Sequence, residues 1–229
     1  MNDNIDLNYQ KANETDSFKA HNDFLNQLLL DTSNGGIEKH YQLFQDAPNK
    51  DLKRILGKGF LKRGEAGLNF LSEKLKSEND TTKKSNVIHL LGLSGAKKYL
   101  SDIIPYLDSN NYDLRYKAII TIGWLGDTDM INVLQSHFLT EKDLDLRCFL
   151  ITALRQIYFR IPASKDMILP FLYEKLKSES NEQLIAVIIV VIQDLTKIKY
   201  GLKEDPNSGE ISGNVVGSKN KIIKKLNLL

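Results

Sequence analysis

Cys148 is the only thiol in the chain, and it stands beside Arg147 near the predicted start of a helix. A helix N-terminus and a neighbouring cation both favour a thiolate, so this is the residue best placed to act as a nucleophile. No histidine lies near it in sequence to serve as a base, and it aligns with Tyr116 of a related segment, an ordinary helix position. The four histidines, His21, His40, His89 and His137, are scattered. None forms a His-x-His, a His-x-x-x-His or a His/Cys pair at ligand spacing, so no metal site is predicted. A lone cysteine also excludes an internal disulfide and an all-cysteine metal site. These residues predict a noncatalytic protein with no cofactor.

Two other groups of residues draw the eye. Arg115 and Arg147 recur at equivalent places in two related segments. An arginine repeated in register is expected to form a structural ladder, satisfying turn carbonyls or a carboxylate of the adjacent repeat. Lys50, Arg54, Lys58 and Lys62 fall at i, i+4, i+8 and i+12, opposite Leu52, Ile55, Leu56 and Phe60. That basic stripe can follow a phosphate backbone. A charged stripe opposite an apolar one is, however, first of all the solvated face of an amphipathic helix, and that is the reading expected here.

Composition narrows the classes. The chain has 229 residues, 41% of them hydrophobic and 26% charged, the proportions of a water-soluble globular protein. A net charge of +2 gives no strong field for nucleic acid or an anionic membrane. The charge is unevenly spread: residues 1–31 hold six acidic side chains against two lysines, whereas residues 197–229 hold seven lysines against three acidic side chains. The start, MNDNIDLNYQ, lacks the basic and apolar regions of a secretory signal. The most apolar run, Leu184–Leu195, is shorter than the roughly 20 residues a bilayer requires. A cytoplasmic location is expected, and the preference for lysine over arginine with abundant Ile and Asn suggests a bacterial source.

The elements that must position these residues follow from internal repetition. Asp113-Leu-Arg-Tyr-Lys-Ala-Ile-Ile-Thr-Ile122 aligns with Asp145-Leu-Arg-Cys-Phe-Leu-Ile-Thr-Ala-Leu154, an offset of 32 residues. Leu91-Gly-Leu-Ser-Gly95 aligns with Ile122-Gly-Trp-Leu-Gly126. A further copy spans Glu182–Leu195, after an insertion around 161–165, and a degenerate one spans 51–76. Leu114, Ala118, Ile122 and Leu125 share one helical face, and Ile131, Leu134 and Phe138 mark the next helix. Asn110, Asn111 and Asp113 offer N-cap oxygens, and Gly126 is expected to stop the helix in a left-handed conformation. The unit is thus a helix pair, which cannot bury its apolar face alone and must stack on its neighbours. An elongated, curved, all-α body is predicted, with about five pairs between residues 18 and 200.

The segment Asn111-Tyr-Asp-Leu-Arg-Tyr-Lys-Ala-Ile-Ile-Thr-Ile-Gly-Trp-Leu-Gly-Asp127 resembles HEAT repeats of the phycobilisome-lyase type. Leu114-Arg115 and Leu146-Arg147 occupy the Val-Arg positions of that pattern. The resemblance is good over 82–160, moderate over 50–81 and 161–198, and absent at both ends. It implies a right-handed α-α superhelix of the HEAT/ARM type, an armadillo-like fold used mainly for protein recognition. Enzymes with such repeats, phycobilin lyases and alkylpurine DNA glycosylases, are the alternatives, together with a general scaffold or adaptor.

Within that frame the expected organisation is a flexible polar arm over 1–17, the solenoid over 18–200 and a turn-rich tail over 201–229. The tail carries a short hairpin around Glu210–Val216 and ends in the basic segment KIIKKLNLL, which is expected to cap the last repeat. With Leu114, Ala118 and Ile122 buried, a 100° step per residue places Tyr116, Lys117 and Trp124 on the opposite side. Packing between neighbouring repeats and exposure to a partner compete as readings of Trp124 and Tyr116. Exposure extends the strip through His89 in one direction and through Arg155, Gln156 and Gln193 in the other. Aromatic and guanidinium side chains in such a groove are the usual anchors of protein interfaces. The leading expectation is a noncatalytic protein-binding solenoid, most concretely a bacterial immunity protein that docks on a cognate toxin. Nucleic acid is not the expected partner.

Overall fold

The computed structural model describes residues 2–226 and is all-α apart from a two-stranded ribbon. Its helices are α1 (Asn2–Asn13), α2 (Phe18–Leu29), α3 (Asn34–Asp46), α4 (Lys50–Lys62), α5 (Gly64–Ser77), α6 (Thr81–Leu93), α7 (Leu100–Ile103), α8 (Tyr112–Leu125), α9 (Asp129–Thr140), α10 (Leu144–Arg160), α11 (Lys165–Ser178), α12 (Glu182–Thr196) and α13 (Val215–Leu226). The strands are β1 (Lys203–Glu204) and β2 (Ile211–Ser212), paired antiparallel with Lys203 opposite Ser212. Consecutive helices pack as pairs, the arrangement of the α-α superhelical class. Among the described residues no helix is long and apolar enough to cross a membrane.

Contacts cluster into two compact units, one ending at Asp102 and one beginning at Ile103, where the sequence suggested a single span over 18–200. In the first unit α2, α4 and α6 stack as one layer, with α3 and α5 packed beside them. The polar arm expected over 1–17 is helical over Asn2–Asn13. Its Ala12 is buried and its Tyr9 ring lies 5.8 Å from that of Phe24, while Asn8 donates to Gln27 of α2 at 2.9 Å and the Tyr9 hydroxyl to the Leu43 carbonyl at 3.0 Å, so a few apolar and polar contacts dock this helix. In the second unit α8, α10 and α12 form the central layer and α9 and α11 lie outside it.

The periodic apolar positions are the core. Leu114, Ala118, Ile122 and Leu125 of α8 are all buried, as are Ile131, Leu134 and Phe138 of α9. Of the candidate caps of α8, Asn111 is the one whose side chain accepts from the Leu114 amide, at 3.1 Å. Gly126 ends α8 in an extended conformation, φ −61° and ψ 153°, not the left-handed one expected. Glycine is required there by proximity: a Cβ would stand 2.6 Å from the Ile122 carbonyl, to which the Gly126 amide donates.

The turns obey one rule that repeats through the chain. Glu78, Glu141 and Glu179 each follow an outer helix, and one carboxylate oxygen of each accepts two backbone amides of the ensuing turn at 2.9–3.1 Å. Two residues later Asp80, Asp143 and Asn181 cap α6, α10 and α12. Each glutamate thereby braces the turn between one helix and the next, and its second oxygen is left for a side chain: an inner-helix arginine at Glu141 and Glu179, and Tyr41 of α3 at Glu78. The signal was in the sequence, since Glu-Lys-Leu-Lys-Ser-Glu occurs at both 73–78 and 174–179.

Beyond α12 the chain turns at Lys197, which is left-handed at φ 59°, and runs into the ribbon. The hairpin starts earlier than expected: it spans 203–212 rather than 210–216. Asp205 sets its turn by accepting from the Asn207 and Ser208 amides at 2.8 Å each. The segment after Gly213 is free to begin α13, which packs on α12 through the buried Ile222 and hydrogen-bonds Ser218 to the Tyr200 carbonyl. The last three residues of KIIKKLNLL, 227–229, lie outside the described residues.

Candidate functional site

The residues that sequence reasoning placed on the inner helices divide into two kinds. Arg115 and Arg147 are fully engaged. Arg115 donates from Nε to Glu141 at 2.9 Å and from a terminal nitrogen to the Ser109 carbonyl at 2.8 Å. Arg147 donates to Glu179 at 2.8 Å, with its guanidinium 4.6 Å from the Phe138 ring centroid. In each case the carboxylate is the turn glutamate described above, so the arginine links an inner helix to the turn that follows the adjacent outer helix. In the first unit the turn glutamate Glu78 is met instead by Tyr41 of α3, whose hydroxyl donates to it at 3.1 Å.

Arg155 and Gln193 are engaged as well, with a segment the sequence did not place near them. Arg155 forms ion pairs with Asp194 of α12 and, at 2.7 Å, with Glu204 of β1. Gln193 donates to the Leu202 carbonyl at 3.1 Å and accepts from the Tyr200 and Gly201 amides at 2.7 and 3.2 Å. Both side chains tie the segment 200–204 back onto α10 and α12. Sequence reasoning missed this because the link joins residues close in space and distant in the repeat. A cavity of about 330 Å³ remains between α10, α12 and the ribbon, with Phe149, Arg155, Val187, Glu204 and Ile211 in its walls. Cys148 borders it and is buried, and burial, reinforced by Asp145, pushes its thiol up to about 11. A thiol that remains protonated at neutral pH is a poor nucleophile.

Outward from the cavity runs an aromatic strip. Tyr112 and Tyr116 stack one turn apart on α8 with ring centroids 6.4 Å apart, and Phe149 of α10 follows 4.7 Å from Tyr116. Tyr112 is 39% exposed, and Tyr116, Lys117 and Phe149 are half-buried. The Lys117 ammonium sits 5.1 Å from the Tyr116 ring centroid, and partial burial lowers its proton affinity. Burial raises the pKa of Tyr112, and the charges of Asp143, Asp145 and Asp113 add to that rise. The strip is therefore aromatic with an acidic rim. Trp124 lies at the far end of α8, half-buried, and Gln156 is half-buried on α10. Their helices approach closely there: a Cβ on Gly123 would be 3.0 Å from Ala153. Arg160 closes the same end by donating to the Gly123 and Gly126 carbonyls at 2.8 and 2.7 Å.

His89 belongs to the first unit, where it is brought to the basic stripe of α4. Lys50, Arg54, Lys58 and Lys62 are exposed, opposite the buried Leu52, Ile55, Leu56 and Phe60. The first three line a groove of about 470 Å³ whose other wall is α6, with His89 and Leu93. Of the remaining histidines, His21 and His40 are fully buried. His21 is buried with Nε2 against the Ala12 and Thr15 carbonyls, at 3.0 and 2.7 Å. His137 faces Asp108 at 3.5 Å. Among the described residues no group of His, Cys, Asp or Glu is placed to hold a metal ion.

Against this geometry, residues 68–155 match the family model for HEAT repeats. No curated protein matches the chain in sequence. A solved-structure comparison finds a chain of a homology model of the full-length AP-3 complex in an intermediate open conformation, at a TM-score of 0.52 and 12% identity. The alignment covers 92% of this chain and 38% of that one, so the chain spans well under half the length of its structural neighbour. At that identity the likeness is one of fold alone. The α-solenoid character of the repeats is thereby shown by sequence over 68–155 and by structure over most of the chain.

Proposed function

We propose that this chain is a noncatalytic docking protein whose partner is a protein that seats a basic surface on the aromatic strip of α8 and α10. The observation that carries this is the run Tyr112–Tyr116–Phe149, three rings in contact, partly exposed and rimmed by Asp113, Asp143 and Asp145. Rings held rigid by their own stacking lose little entropy on binding, and an acidic rim steers a cationic partner into register. The most concrete form is a bacterial immunity protein that occludes a cognate toxin domain in the cytoplasm. A protonated Cys148 and the engagement of Arg155 and Gln193 in holding the ribbon favour docking over chemistry. The test is a photo-crosslinking residue at position 116 in the native host, with mass spectrometry of the adduct. A toxin domain with a basic contact surface, whose toxicity the wild-type chain relieves and Tyr116→Ala does not, supports the proposal. Relief that survives Tyr116→Ala combined with Phe149→Ala, with folding unchanged, overturns it.

A further inference from the structure

The groove between α4 and α6 has a character the basic stripe alone did not disclose. Its floor is apolar. Phe44 and Leu90 close it from below, each 4% exposed, while Leu93 stands at its edge 38% exposed. Gly57 lets them in: a Cβ there would stand 2.9 Å from Phe44 and 3.1 Å from Leu90. Along one wall run Lys50, Arg54 and Lys58, one helical turn apart, with no carboxylate among the lining residues. Lys53 is already committed, donating to the Gln45 carbonyl at 2.8 Å, and Arg54 meets Asp51 at 3.2 Å in a pair more than half exposed on both sides. So open an ion pair contributes little and yields readily to a better partner.

We propose that this groove is a second docking site, and that its occupant is a helical polypeptide segment with carboxylates one turn apart and an aliphatic side chain between them. The register argues for a helix. Cations four residues apart on α4 recur about every 6 Å, the same interval as carboxylates at i, i+4 and i+8 of another helix. The floor argues for an apolar anchor, because Leu93, 38% exposed beside the buried Phe44 and Leu90, gains from burial what a purely electrostatic ligand cannot supply. A nucleic acid fits less well. Base stacking needs an open ring face, and Phe44 presents almost none, while the chain as a whole carries a net charge of only +2. The site is independent of the α8–α10 strip and of opposite charge to it, so the two proposals stand or fall separately.

The test is a phage library of helical peptides of about four turns, randomised in charge and apolar positions and panned against the full chain. Enrichment is compared with a variant carrying Arg54→Glu and Lys58→Glu, both exposed positions, with circular dichroism confirming that the variant is folded. Peptides with acidic residues at helical spacing and an intervening Leu or Ile are expected to enrich. They should bind the variant at least about tenfold more weakly, because like charges face one another. They should also lose affinity for Leu93→Asp, and peptides with lysine in place of the acidic residues should recover binding to the double variant. No enrichment, enrichment of neutral peptides, or peptides that bind the variant equally well would overturn the proposal. So would tighter, groove-dependent binding of a duplex or single-stranded oligonucleotide than of any peptide.

Discussion

The guanidinium of Arg63 donates from Nε to Nδ1 of the buried His40 at 3.0 Å, while His40 Nε2 donates to the Leu56 carbonyl at 2.9 Å. The same guanidinium reaches the Leu28 and Asp31 carbonyls at 2.9 and 2.8 Å, so one side chain joins the end of α4 to the end of α2. The arrangement requires a neutral imidazole with its proton on Nε2, because Nδ1 must accept. Burial, and then the charge of Arg63, hold His40 down to about 3.

Acid stability follows from that pair. His40 titrates lower in the folded chain than the ordinary 6.5, so the unfolded chain takes the proton first. Stability is therefore expected to be fully present above about pH 6.5 and to decline as pH falls toward 3, with a slope approaching about 1.4 kcal/mol per pH unit from this group. Urea denaturation from pH 7 to pH 4 measures it. His40→Gln, which retains a donor and an acceptor but no titration, should flatten the slope whatever it does to the stability at pH 7. An unchanged slope in that variant would assign acid sensitivity elsewhere.

The arginine–glutamate ladder is expected to be structural. Arg147 and Glu179 are only 26% and 12% exposed at their side chains. Truncating Arg147 to Ala strands a carboxylate and should cost about 1–3 kcal/mol. A double-mutant cycle with Glu179→Gln should return a coupling of about 1 kcal/mol in urea melts. Additive losses would mean the two side chains act independently.

Cys148 should be silent to thiol reagents in the folded state. A thiol near 11 is thiolate in only about one molecule in a thousand at pH 8. Labelling by iodoacetamide at pH 8 is expected to be slow and to accelerate sharply in denaturant. Fast labelling of the native chain would contradict both the burial and the raised thiol.

The ribbon should be held by Arg155. Arg155→Ala removes the pair with Glu204 and leaves the hydrogen bonds of Gln193 and Ser218, which reach only residues 200–202, to tie the segment. Limited proteolysis between 205 and 209, read by mass spectrometry, is expected to quicken several-fold while the melting temperature falls only slightly. Equal cleavage rates in variant and wild type would show that the ion pair does not restrain the ribbon.

Trp124 separates packing from docking. Its helix passes close to α10 beside it, at Gly123 and Ala153, so Trp124→Ala is expected to lower stability by about 3 kcal/mol. Tyr116→Ala, on the open strip, should leave the melting temperature nearly unchanged and weaken partner binding. Thermal melts of the two variants side by side decide the assignment, and equal melting temperatures would return Trp124 to the exposed surface.

What the sequence determined by itself was everything set by helical periodicity. The spacing of Leu114, Ala118 and Ile122 fixed which face of α8 is buried, and the recurrence of Asp-Leu-Arg fixed the helix pair as the unit. Such patterns are local and repeat, and burial of an apolar stripe is a strong enough demand to be read from a single chain. The exposed face of α4 was legible for the same reason. Gly126 was read correctly as a stop and wrongly as left-handed, because a close backbone approach and a positive φ both select glycine.

Tertiary structure alone decided what the polar side chains do. Arg155 and Gln193 lie on the outward arc of their helices, and periodicity can only mark that arc as facing away from the core. Whether it meets solvent depends on where residues 200–212 return, and those residues follow the last repeat and obey no repeat rule. Likewise, periodicity could not show that His89 shares a groove with Lys50, Arg54 and Lys58, because that groove comes from the packing of α4 against α6. Periodicity fixes a residue's angle about its own helix axis, and a partner-facing site needs in addition the positions of other axes and of the chain's ends, which long-range packing sets.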